Sequence, residues 1–71
     1  MARLLEAIDG PCLGRLLAFP VGLPAVVAVV GANGRYAVHA VRAHPRAVGS
    51  YRPDAVRRGC ARFHPAARSA A

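Results

Sequence analysis

Two cysteines and three histidines are the residues best equipped for chemistry in this chain: Cys12, Cys60, His39, His44 and His64. Cys60 and His64 stand four apart, so a continuous helix would place them on one face, and His39 and His44 could bring a zinc set to four ligands. No Cys-x-x-Cys pair accompanies them, and Pro65 follows His64 directly. The plainer reading is a buried thiol with surface imidazoles, and no metal or other cofactor is expected. A Cys60–His64 nucleophile pair lacks a third orienting group. The three carboxylates, Glu6, Asp9 and Asp54, form no acid–base pair, and no phosphate-cradling glycine motif occurs. Catalysis is therefore not expected.

The arginines offer a different chemistry. Residues 1–34 carry Arg3 and Arg15 against Glu6 and Asp9, a net charge of zero. Residues 35–71 carry eight Arg against Asp54 alone, so the whole formal charge of +7 sits there. Such asymmetry suits a polyanionic partner. Candidate contacts are Arg35, Arg42, Arg46, Arg52, Arg57, Arg58 and Arg62, with Tyr36 and Tyr51 interleaved. Arginine forks bind phosphate bidentately, and aromatic faces stack on unpaired bases. The combination points to RNA or another single-stranded nucleic acid. No recognised nucleic-acid motif is matched.

Composition sets the frame for these residues. The chain has 71 residues and is 55% hydrophobic, but 16 of those residues are Ala and only six are Leu. That limits it to one small domain with a thin core. All ten basic residues are Arg, and none is Lys. With Ala, Gly and Pro also abundant, the composition follows GC-rich codons. An orphan protein without evolved function is one alternative.

Residues 2–9 place Leu4, Leu5 and Ile8 at helical spacing, and residues 12–19 do the same with Leu13, Leu16 and Leu17. Two short helices joined at Gly10-Pro11 are predicted. Pro20 and Pro24, with Gly22 between them, end the second. Residues 25–30 are rich in Val, Asn33-Gly34 is a strong turn signal, and residues 35–42 partly alternate. A β-hairpin over about 25–42, turning at 31–34, follows. Pro53-Asp54 suits a helix start, and Val56, Cys60 and Phe63 share a face, so a basic helix over 54–63 is expected. The expected fold is α+β: a single domain over 1–65, then a frayed tail over 66–71. A cytoplasmic location is favoured. Residues 16–34 contain no charge, which leaves a second alternative, a single-span small subunit of a larger membrane complex. Pro20, Gly22, Pro24, Gly31, Asn33 and Gly34 argue against a helix there.

Overall fold

In the computed structural model, which describes residues 2–66, every regular element is a strand. The α+β expectation is thereby corrected to an all-β fold. The strands are β1 (Ala2–Ala7), β2 (Leu16–Pro20), β3 (Val26–Val30), β4 (Tyr36–His39), β5 (Ala47–Pro53) and β6 (Cys60–Pro65). They form one sheet in the order β2-β1-β6-β5-β3-β4. Neighbours run antiparallel except β1 and β6, which pair in parallel through Glu6↔Cys60 and Ala7↔Ala61. The sheet curls into a nearly closed barrel. Its two edges meet where the Arg15 guanidinium, just before β2, donates to the Tyr36 carbonyl of β4 at 2.8 Å.

The two N-terminal helices are replaced by β1 and β2 for a reason visible in their periods. Leu5 and Ala7 point inward while Leu4 and Glu6 point out; Leu17 and Phe19 point inward while Leu16 and Ala18 point out. Eight-residue apolar segments fit a period of two as well as 3.6. A helix that short is also marginal by itself, whereas the antiparallel ladder from Ala2↔Pro20 to Glu6↔Leu16 satisfies the backbone directly. Gly10-Pro11 opens the connection between these strands. Gly10 and Gly14 both adopt positive φ, and the Ala7 and Gly14–Arg15 backbones bond across its neck.

The expected basic helix over 54–63 is likewise a turn followed by a strand. Asp54 behaves as a helix cap does, its carboxylate accepting the Arg57 N–H at 2.7 Å. The chain then reverses at Gly59, where φ is +77°. The Asp54 N–H closes the loop onto the Cys60 carbonyl at 2.9 Å. Residues 60–65 therefore alternate, with Ala61 and Phe63 turned inward and Arg62 and His64 outward.

The β3–β4 hairpin is present, with Val30↔Tyr36 as its last pair and residues 31–35 as its loop. β3 is buried from Val26 through Val29, which explains its unbroken apolar run. Val26 and Ala28 belong to the core; Val27 faces the other way, toward the β4–β5 connection, where it shares depressions with Val41, Arg42, Ala43 and His44. Residues 16–34 thus form β2, a turn, β3 and a turn. Among the described residues, no helix is long and apolar enough to cross a membrane. The tail expected over 66–71 lies, beyond Ala66, outside the described residues.

Tyr51 is the centre of the core. Its side chain is fully buried, with Leu5, Leu17, Phe19 and Val26 around it, and its ring lies 5.2 Å from that of Phe63. Its hydroxyl accepts the Cys12 N–H at 2.8 Å and donates to the Asp9 carbonyl at 2.7 Å. Burial pushes the phenol above its ordinary value of 10.0, which keeps the donated proton in place. Asp9 also extends the β1–β6 ladder past the end of β1, accepting the Phe63 N–H on its carboxylate at 2.7 Å. The 8–15 connection is thereby fastened over one end of the barrel.

Candidate polyanion-binding groove

The outward faces of β4, β3, β5 and β6 carry a row of directly opposed residues, His39↔Val27, Val27↔Ser50 and Ser50↔His64. Two residues further along β5, Arg52 stands opposite Arg62. Opposed residues hold their Cβ atoms about 5 Å apart on one face, so Ser50, Arg52, Arg62 and His64 form a compact polar patch. Residues 40–46 lie across this face and add Arg42 and His44. Between the connection and the sheet is a depression of about 420 Å³, lined by Val27, Arg42, His44, Ser50, Arg52 and His64 together with small residues. A second, of about 260 Å³, continues toward Leu23 and Pro24 and shares Val27, Arg42, Ser50 and Arg52. A third adjoins on the β6 side, sharing Arg52 and His64. Arg52 borders all three, which run together as a track.

The electrostatics of this track are dominated by cations. No carboxylate lines the first two depressions. Asp54 lines the third, but it is occupied: Arg62 Nε lies 3.1 Å from one carboxylate oxygen and the Arg57 N–H bonds the other. The Arg57 N–H and then Arg62 hold its carboxyl below the ordinary 3.8. Arg62 is correspondingly paired within the chain. Among the described residues, Arg42 and Arg52 make no side-chain hydrogen bond or ion pair and are exposed. They are free to grip a ligand.

The structure brings only part of the sequence-derived site together. Arg42 and Arg52 converge, with Arg62 beside them. Arg46 follows His44 in the same connection, its side chain outside the groove lining. Arg35 is in the β3–β4 turn, and Arg57 and Arg58 are exposed in the 54–59 turn. Neither turn reaches the first two depressions. The aromatic residues are elsewhere. Tyr51 is in the core with none of its surface exposed. Tyr36 alternates with His39 along β4 and so shares the face of Val38, which packs toward the core. The RNA-binding expectation drew on these two rings as stacking platforms; Tyr51 is buried, and Tyr36 is exposed but lies outside the groove lining.

Sequence reading missed His44, His64 and Ser50 as groove residues. The available signal was the alternation Ser50-Tyr51-Arg52 and Arg62-Phe63-His64, polar–aromatic–polar in both segments. The cysteines contribute nothing here: both are free thiols, Cys12 in the core and Cys60 at the start of β6. Among the described residues, no three His, Cys, Asp or Glu side chains are grouped to hold a metal ion. No family model matches the chain, and no match is found among curated proteins or solved structures.

Proposed function

We propose that this protein is a small non-enzymatic module that binds nucleic acid through its phosphodiester backbone, without reading sequence. One observation carries the reading: Arg42 and Arg52, unpaired among the described residues, converge on two joined depressions that no carboxylate lines. Guanidinium forks match phosphate geometry and are weakly hydrated, so they suit repeated phosphate contacts. The small floor residues Ala47 and Ser50 allow a ligand backbone to approach closely. The joined depressions suit a chain of phosphates better than a single anion. No Tyr or Phe side chain lines the groove, and phosphate contacts alone carry no sequence information.

The test is the salt dependence of binding to mixed-sequence single-stranded oligonucleotides. About three contacts, from Arg42, Arg52 and Arg62, which borders the adjoining depression, give a log–log slope near −2 at about 0.7 per contact. Affinity then falls roughly 15-fold between about 50 and 200 mM salt. Replacing Arg42 and Arg52 together by Ala reduces the slope to about −0.7, equally for all sequences. Replacing Arg57 and Arg58, outside the first two depressions, leaves it nearly unchanged. A double Arg42/Arg52 variant that binds with the parent's affinity and slope overturns the proposal, leaving the arginines as a solvated surface set by composition.

A further inference from the structure

The β4–β5 connection contains a small device that the anion groove does not explain. The His44 Nδ1 accepts the Arg46 backbone N–H at 3.1 Å. The same chain holds the same i to i+2 arrangement once more, where Asn33 Oδ1 accepts the Arg35 N–H at 3.0 Å. These are two copies of one turn, a side-chain acceptor fixing the backbone two residues ahead. They differ in one property. The amide of Asn33 accepts at every pH, whereas an imidazole nitrogen accepts only while its lone pair is free. The bond at His44 therefore assigns the proton to Nε2, and protonating Nδ1 removes the acceptor and places a donor against a donor.

The surroundings strengthen this asymmetry. The His44 ring is stacked on His39, at 5.4 Å between centroids and 24° between planes. Two neutral imidazoles stack readily, and two imidazolium ions at that distance repel. Around His44 stand Arg42 and Arg46 from its own connection, His39 from β4, Arg52 from β5 and His64 from β6, while β3 contributes Val27. No carboxylate lines that depression to offset a new positive charge. The connection is held to the sheet nearby, with the Arg46 carbonyl accepting the Val30 N–H and the His44 carbonyl accepting the Ala47 N–H.

We propose that the β4–β5 connection is a proton-operated latch. It is closed while His44 is neutral, bonded to Arg46 and stacked on His39, and it is released when the imidazoles take up protons. Release moves Arg42 and His44, half of the groove's cationic rim, away from Arg52 and His64. The latch thus adds regulation to the phosphate-binding reading, but it is tested on the free protein, so that the two fail separately.

The experiment follows backbone amides of the full-length, isotope-labelled chain by NMR from about pH 8 to about pH 5, the interval that spans ordinary imidazole titration. Each exchange rate is taken relative to the intrinsic rate at that pH. Protection of the Arg46 amide is expected to fall roughly 2- to 10-fold on acidification, the effect of losing one hydrogen bond. The Arg35 amide, bonded to Asn33, serves as a control within the same molecule and keeps its protection. A His44→Asn variant replaces the titrating acceptor by an amide oxygen at the same place, and its Arg46 amide stays protected throughout. The latch is overturned if Arg46 and Arg35 respond alike in the parent, or if the Arg46 amide of the His44→Asn variant loses protection with acid as the parent does.

Discussion

Replacing Tyr51 by Phe removes a single oxygen from the middle of the barrel. The ring stays, so its packing against Phe63 and the apolar core is kept. What is lost is the link to the 8–15 connection: the Cys12 N–H, buried, is left without its acceptor, and the Asp9 carbonyl without its donor. A buried donor stripped of its partner costs about 1–3 kcal/mol. For a domain of this size each kcal/mol moves Tm by about 4–8 °C. A central loss of about 2 kcal/mol therefore lowers Tm by roughly 8–16 °C. That is a large share of the few to about 10 kcal/mol such a chain can possess. Circular-dichroism melts of the parent, Tyr51→Phe and a Tyr36→Phe control measure it, the control sitting at a hydroxyl that makes no such bond. Amide exchange at Cys12 separates two ways of losing the bond. If the connection lifts while the barrel holds, Cys12 loses protection with a smaller change in Tm. A Tyr51→Phe protein that melts within about 1 °C of the parent, with Cys12 still protected, would refute the assignment of Tyr51 as the fastener of this end.

Three further outcomes follow from the same packing. Gly10→Ala places a methyl 2.5 Å from the Phe63 Cβ at a φ of +73°, so strain and overpacking together lower unfolding stability by about 2–5 kcal/mol in denaturant titration. Gly14→Ala, with a φ of +84° but nothing within 4 Å, costs only about 1–2 kcal/mol; equal losses at the two sites would refute the close contact. Asp54 has its carboxyl held below 3.8 in the folded chain, so its contribution is present above that value and is lost as pH falls through the lowered one. Asp54→Asn should flatten acid unfolding in that window, and an unchanged acid profile would count against the Asp54–Arg62 pairing. Ser50→Glu puts a carboxylate between Arg42 and Arg52 in the groove. It should leave the melt unchanged or raised while reducing the oligonucleotide salt slope by about 0.7–1.4, the loss of one or two contacts.

What the sequence disclosed and what it withheld divide along sequence separation. The β3–β4 hairpin is local: a Val-rich run, Asn33-Gly34 and a partly alternating return strand declare it within twenty residues. The turn after Pro53 was also signalled locally, since Asp54 makes the capping bond that its position suggests. That bond is common to a helix start and to a tight loop, and Gly59 decides between them. The N-terminal segments were ambiguous rather than silent: Leu4, Leu5 and Ile8, and Leu13, Leu16 and Leu17, fit a helical period, while Leu5 and Ala7, and Leu17 and Phe19, fit a period of two. Only a partner strand resolves such a tie. The parallel β1–β6 pair joins Glu6 to Cys60 across most of the chain. The three bonds at Tyr51 and Asp9 span 39, 42 and 54 residues. No window along the sequence contains both ends of these contacts, so Tyr51 looked like a surface aromatic among arginines.

The groove shows the same division in its electrostatics. An excess of arginine in residues 35–71 says that a field exists but not where it is strongest, because each arginine contributes the same charge wherever it stands. The scarce residues decide its location. Asp9 is drawn to the Phe63 amide at the barrel's end, and Asp54 is enclosed in its own turn, where it takes Arg62. Glu6 is exposed on β1, beside β2 and β6. All three carboxylates are thus placed away from β3, the inner strand beneath Arg42. Two arginines on neighbouring segments, facing across Val27 and Ser50, then have no carboxylate among the described residues to pair with. In a low-salt solvent such a pair attracts phosphate from outside the chain over about one Debye length. The position of the proposed site follows from where three acids went, and not from how many arginines the chain carries.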